Sequence, residues 1–141
     1  MSEHPNIALA RRCYDACNRG DGDTLQECFA PDAVHYFTGR SPVAGAPKLI
    51  AFCLASIAQV QAFWTIDHAM ATDDEVVIEW SQRWKPRAKD QFVLTRGTEW
   101  ILAKGGRISE RRTYFQRDVE ETTTELQGFP YRERGYTLLE Q

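Results

Sequence analysis

Three histidines, His4, His35 and His68, are the side chains here that titrate near neutrality without help from their surroundings. His4 lies in a frayed N-terminus and is a poor candidate for chemistry. His35 stands in the short apolar run Ala33-Val34-His35-Tyr36-Phe37 and is the best general acid or base; its ordinary alternative is a structural histidine bonded to a backbone carbonyl. Asp67-His68 is the other acid–base pair, and neighbours in a strand face opposite ways, so only one of them can line a pocket. Trp64, Ile66 and Met70 put His68 on the buried face. Cys13, Cys17, Cys28 and Cys53 have no histidine at zinc-ligand spacing and read as small buried apolar residues. No glycine-rich phosphate loop, nucleophile elbow or metal-ligand cluster occurs, so neither a cofactor nor a metal is expected.

The elements that must hold these groups follow from hydrophobic period. Pro5 opens a helix in which Ile7, Ala10, Cys13 or Tyr14, and Cys17 recur at helical spacing, and Asn18-Arg19-Gly20 stops it, giving 5–19. Tyr14 belongs to its core side. Asp23, with Gln26 in the reciprocal position, caps a short helix over 23–29 that ends at Ala30-Pro31. Residues 33–38 read as a strand. Leu49, Ile50, Cys53, Leu54, Ile57 and Val60 form the broad apolar stripe of a third helix, 46–62. From Trp64 the period changes, and β-branched and aromatic residues predict strands at 64–71, 75–85, 91–103 and 107–117. Asp73-Asp74, Lys85-Pro86-Arg87 and Lys104-Gly105-Gly106 supply the turns of successive hairpins. Helices first and strands after mean an α+β fold with an antiparallel sheet. The tail from Asp118, with its Gly128-Phe129-Pro130-Tyr131 break, is expected to pack over the domain as a loop.

Composition narrows the function classes. At 141 residues with 43% hydrophobic and 26% charged residues, the chain fits one globular domain, 1–141, with 118–141 as its tail. A net charge of −3 provides no basic field for a nucleic acid. The most apolar segment, Leu49 to Ala58, is shorter than the ~20 residues of a membrane span, and the N-terminus lacks a basic start followed by an apolar stretch. A cytoplasmic protein without a membrane partner is expected. The charge runs Arg83–Lys89 and Arg132-Glu133-Arg134 read as solvated surface.

Cys13-Tyr14-Asp15-Ala16-Cys17-Asn18-Arg19-Gly20-Asp21, Leu25, Phe29-Ala30-Pro31-Asp32-Ala33-Val34, Gly45 and Ile50 resemble the start of the nuclear transport factor 2-like superfamily. Gly97-Thr98-Glu99-Trp100, Gly106-Arg107-Ile108-Ser109-Glu110 and Arg112-Thr113-Tyr114-Phe115 are similar to the closing hairpin of SnoaL-like polyketide cyclases, ketosteroid isomerases and limonene-epoxide hydrolases. The resemblance, which covers residues 7 to 117, implies a cone-shaped barrel: a curved sheet wrapped around three helices, with an apolar central pocket. It also implies a homodimer, for which Val93, Thr95 and Ile101 offer an outer face. The chain departs from the family's chemistry. The last-strand aspartate of the hydrolases and cyclases falls on Thr113, and the isomerase acids and phenol fall on Phe37, Thr98 and Cys13. The resemblance would turn Asp67, not His68, inward, and both assignments stand at this point.

Matching pocket positions with strand alternation places Ile78, Trp80, Gln82 and Trp84 inward in one strand, Leu94, Arg96, Thr98 and Trp100 in the next, and Arg111, Thr113 and Phe115 in the last. His35 and Phe37 are expected near the entrance. Trp80, Trp84, Trp100 and Phe115 would wall a flat or polycyclic ligand, unless they simply fill the core. Arg96 and Arg111, if inward, need an anion or acceptor oxygens; a register error would put them on the surface. The leading expectation is a cofactor-independent lyase, isomerase or cyclase acting on a hydrophobic polyketide, terpenoid or steroid-like molecule. In it, His35 with Asp67 or His68 moves a proton and Arg111 or Arg96 stabilises the oxyanion. The alternative is a non-catalytic ligand-binding or assembly domain that has lost its acidic base.

Overall fold

The computed structural model describes residues 2–116 and 124–140, so the expected end of the last strand at 117 and the tail's first residues, 118–123, lie outside the described residues. Three helices carry the N-terminal half: α1 (Pro5–Arg19), α2 (Gly22–Cys28) and α3 (Ala46–Val60). Pro5 starts α1 where an N–H is not needed. His4 Nδ1 accepts from the Asn6 amide (3.1 Å), and Gly20, at φ 68°, closes the helix by donating to the Ala16 and Cys17 carbonyls. The cap of α2 is Asp21 rather than Asp23: its carboxylate accepts from the Thr24 amide at 3.1 Å, which starts the helix one residue early.

Six strands form one curved, unclosed sheet: β1 (Phe29–Phe37), β2 (Arg40–Ala44), β3 (Phe63–Ala71), β4 (Glu75–Trp84), β5 (Val93–Lys104) and β6 (Arg107–Tyr114), in the order β2-β1-β6-β5-β4-β3. Neighbouring strands are antiparallel except β1 and β6, which run parallel and bring His35 beside Arg111. The unexpected β2 is a five-residue edge strand joined to β1 through Thr38-Gly39; an edge position tolerates its Pro42, which has no N–H to donate.

The helices cover one face of the sheet, where Leu25, Phe29, Leu49, Val76, Ile78, Ile101 and Ile108 are buried together. Each such side chain removed from water contributes about 1.5–3 kcal/mol. Residues 124–140 lie against the opposite, outer face: the Thr137 amide donates to Asp67 (2.8 Å) and the Tyr136 hydroxyl to Glu79 (2.6 Å).

Register corrects the face assigned to β5. Trp80 pairs with Gly97, Ile78 with Glu99 and Val76 with Ile101, so Thr95, Gly97, Glu99 and Ile101 share the helix face, while Leu94, Arg96, Thr98 and Trp100 point outward. Thr95 and Ile101 are buried, and Val93, opposite Trp84, shares their face, so none of the three offers the outer ground expected for a second copy. The large apolar side chains exposed on the outer face of the strands include Tyr36, Phe63, Met70, Trp100 and Tyr114.

Candidate functional site

Between the helices and the sheet lies a cavity of about 150 Å³. Its apolar wall is Phe37, Phe52, Trp64, Trp80 and Phe115, and its polar groups are Tyr14, His35, Ser56, Gln82, Glu99, Arg111 and Thr113. Arg40, the lining residue exposed to solvent, marks the mouth. Local structure fixes this wall. Asn18, at the end of α1, donates to the Trp64 carbonyl (2.8 Å) and accepts from the Trp64 amide (2.9 Å), pinning the start of β3. Trp80 lies flat over Gly97, where any Cβ would collide with the indole. Cys17 and Cys53 form a disulfide between α1 and α3 on the cavity wall, with Cα atoms 6.1 Å apart. Reading all four cysteines as apolar filling therefore holds only for Cys13 and Cys28, which are free and buried.

At the cavity floor the ionisable groups form one directed chain. A guanidinium can only donate, so Arg111 Nη2, 3.0 Å from His35 Nδ1, fixes the imidazole with its proton on Nε2. That Nε2–H donates to Thr113 Oγ1 (2.5 Å), and the threonine hydroxyl donates to Glu99 Oε2 (2.5 Å). The Tyr14 hydroxyl donates to Glu99 Oε1 (3.0 Å), and Arg111 Nη1 lies 3.9 Å from the same oxygen. Glu99 is 1% exposed, so its charge is balanced by this guanidinium and these donors rather than by water.

Burial, then the charges of Arg111 and Arg40, drives the His35 pKa far below its ordinary value. Burial, then the Glu99 charge, pushes Tyr14 well above the phenol range, so it stays a donor. Burial works against the Arg111 charge, but Glu99, Cys13 and Tyr14 outweigh it and the pKa rises. Two donors on cavity-lining residues, Arg111 Nε and Trp80 Nε1, have no partner among the described residues.

The expected site residues divide between the two faces. His35, Phe37, Trp80, Gln82, Arg111, Thr113 and Phe115 line the cavity. His35, however, has its lone pair occupied by Arg111 and its N–H by Thr113, which removes it as a free general acid or base. Asp67 and His68 both leave the pocket. A bulge at Asp67 shifts the register between Ile66, opposite Trp80, and His68, opposite Glu79, so the inward series Trp64, Ile66 resumes at Ala69 and Ala71. Asp67 accepts from Ser81 on the outer face; His68 Nδ1 stands 3.4 Å from Glu79 at the surface.

Arg96 is also outward: Nη1 donates to Ser81 (2.9 Å), Nε and Nη2 donate to Glu125 (3.1 and 2.9 Å), and the guanidinium lies 4.0 Å over Tyr131. Thr98 donates to the Ile78 carbonyl (2.8 Å) and Trp100 is 40% exposed, so neither reaches the cavity. Trp84 has the expected face but lies beyond the cavity lining, donating to Thr95 (2.9 Å).

Sequence reasoning missed Tyr14, Glu99 and Arg40. The phenol and carboxyl sought at Cys13 and Thr98 stand one residue further along, at Tyr14 and Glu99. The readable signal for Glu99 was its place in the alternate-residue series Gly97, Glu99, Ile101, Ala103, small and apolar but for one acid. Arg40 had no such signal, because β2 was not recognised.

Comparison with known proteins agrees with this architecture. Residues 10–111 match the SnoaL-like domain. An uncharacterized protein of Mycobacterium tuberculosis, Rv0034, is 26% identical over 121 residues, covering 82% of this chain and 92% of the relative. Among solved structures, a protein of unknown function with a cystatin-like fold from Methylobium petroleophilum PM1 superposes with a TM-score of 0.72 at 28% identity, covering 98% of this chain and 94% of that one. An LEH-like epoxide hydrolase of M. tuberculosis gives a TM-score of 0.71 at 20% identity, covering 79% of each chain, a likeness of fold alone.

Proposed function

Because the chain belongs to the SnoaL-like domain family, we propose that it is a cofactor-independent enzyme of the lyase, isomerase or cyclase kind, moving a proton on a compact, oxygen-bearing small molecule, with Glu99 as the base. One observation carries this reading: a 1%-exposed carboxylate in an apolar cavity, held by Tyr14 and Thr113 with Arg111 beside it. Each carboxylate oxygen has two lone pairs, and each accepts one of these bonds, so Glu99 keeps acceptor capacity for a substrate proton.

In the proposed step Glu99 takes a proton from the carbon next to a carbonyl. The C–H electron pair becomes the enolate π bond, and negative charge moves from Glu99 to the substrate oxygen. Arg111 compensates the charge in both positions, and its Nε, without a partner among the described residues, is the donor available to the oxygen. Return of the proton to another carbon completes an isomerisation; loss of a β-substituent completes an elimination. His35 acts as a positioning residue that holds Arg111 and Thr113 in register.

Size limits the substrate. A cavity of about 150 Å³ takes a single six-membered ring, which favours monocyclic over polycyclic or steroid-like molecules. Loss of α-proton signals from cyclohexanone in D2O, followed by NMR, tests the reading. Protein-dependent exchange above the buffer rate is expected. Binding of the ketone without exchange would overturn catalysis and favour the binding-domain alternative, to which the internally bonded His35 is equally suited.

A further inference from the structure

The cavity's charges do not cancel. Arg111 is offset by Glu99, one for one, and His35 is neutral because Arg111 occupies its lone pair. Arg40 is left over. It stands at the start of β2 opposite Phe37, across the Thr38-Gly39 turn, with its guanidinium carbon 4.7 Å from the Phe52 ring centroid and 5.2 Å from that of Phe37. Among the described residues it has neither an ion pair nor a hydrogen-bond acceptor, whereas Arg11, Arg12, Arg96 and Arg112 each meet a carboxylate. The two rings fix the guanidinium over the mouth while leaving its N–H fork uncommitted.

We propose that the cavity selects small organic anions: a one-ring or similarly short apolar body seated among Phe37, Trp80 and Phe115, with a carboxylate at the mouth paired to Arg40. This rests on the reading of the cavity as the substrate site. A fork of parallel N–H groups matches the two oxygens of a carboxylate, and a positive charge at the rim of a low-dielectric cleft draws anions toward it. The substrate's reacting carbonyl then lies at the far end, by Glu99 and Arg111, so its two polar ends are read by two different arginines.

Calorimetric titration with cyclohexanecarboxylate and with its neutral isostere, cyclohexanecarboxamide, tests the selection. The carboxylate is expected to bind at least about tenfold more tightly, and Arg40→Met to bring its affinity down to that of the carboxamide. Arg40→Lys, which keeps the charge, is expected to retain the preference. Arg40 is exposed, so these substitutions do not disturb the core. Equal affinities in the wild type, or a preference unchanged in R40M, overturns the inference, as does failure of both ligands to bind. The reaction is read separately with 4-oxocyclohexanecarboxylate in D2O. A carboxylate preference without α-proton exchange sinks the proposed catalysis and leaves the anion site standing; exchange without a preference does the reverse.

Discussion

The two faces of the sheet each hold a buried arginine next to a buried carboxylate, and they use the pair differently. On the outer face Arg96 donates to Ser81 and twice to Glu125, stacks on Tyr131 and lies 3.9 Å from Asp67, which in turn accepts from Ser81 and the Thr137 amide. Its guanidinium nitrogens are all engaged, and the product is attachment of residues 124–140 to the sheet. On the helix face Arg111 and Glu99 are also 3.9 Å apart, but Arg111 Nε has no partner among the described residues and an apolar cavity adjoins them. A saturated polar cluster fixes structure; one with a donor to spare beside a cavity is what the proposed substrate site requires.

Replacing each arginine by methionine sharpens that contrast. Arg111→Met leaves a 1%-exposed carboxylate without its cation and is expected to lower unfolding free energy by about 3–5 kcal/mol in urea titration. Arg96→Met should cost less, about 1–3 kcal/mol, because buried Asp67 keeps its Ser81 and Thr137 donors and the Glu125 side chain, 43% exposed, can return to water, whereas loss of Arg111 also strips the partner from His35 Nδ1. The reverse order would break the comparison. Thr113→Val cuts the chain between His35 and Glu99, and an expected loss of about 1–3 kcal/mol reports His35 Nε2–H left without its acceptor and Glu99 Oε2 without its donor.

Proton linkage separates the faces further. His35 is held neutral in the native state, while the unfolded chain takes up its proton as pH falls through about 6.5. The stability it contributes is therefore present above that pH and is lost below it, by up to about 1.4 kcal/mol per pH unit. Thermal melts from pH 7.5 to 4.5 should show this acid slope, and His35→Asn should flatten it. The outer-face counterpart is smallest. Tyr136, bonded to Glu79, has its phenol pushed up to about 12. Its contribution is full below the ordinary tyrosine value near 10 and is lost as pH rises toward 12. Tyr136→Phe should remove that alkaline loss.

How much of this was readable varied with the kind of signal. Hydrophobic period located the helices and the four later strands to within two residues at most ends, because burial of one face leaves a mark at every turn. The side a strand presents was harder. In β5, the large apolar Trp100 suggested the wrong face, since a tryptophan at 40% exposure looks like core, whereas a buried glutamate looks like surface. In β3 the bulge at Asp67 defeats any uniform alternation, and the conflict between Asp67 and His68 was its visible trace. His35, Arg111 and Thr113 were found together, but their polarity of donation depends on the parallel pairing of β1 with β6, residues separated by 76 positions.

The most direct measurement compares α-proton exchange of 4-oxocyclohexanecarboxylate in D2O by Glu99→Gln and by Ser81→Ala. Ser81 is next in sequence to the cavity's Trp80 but bonds to Asp67 and Arg96 on the other face. The expected result is a loss of about 10²–10⁴-fold in E99Q, with S81A within about twofold of the wild type. Equal losses in the two variants, or exchange that survives in folded E99Q, would contradict the assignment of chemistry to the helix face.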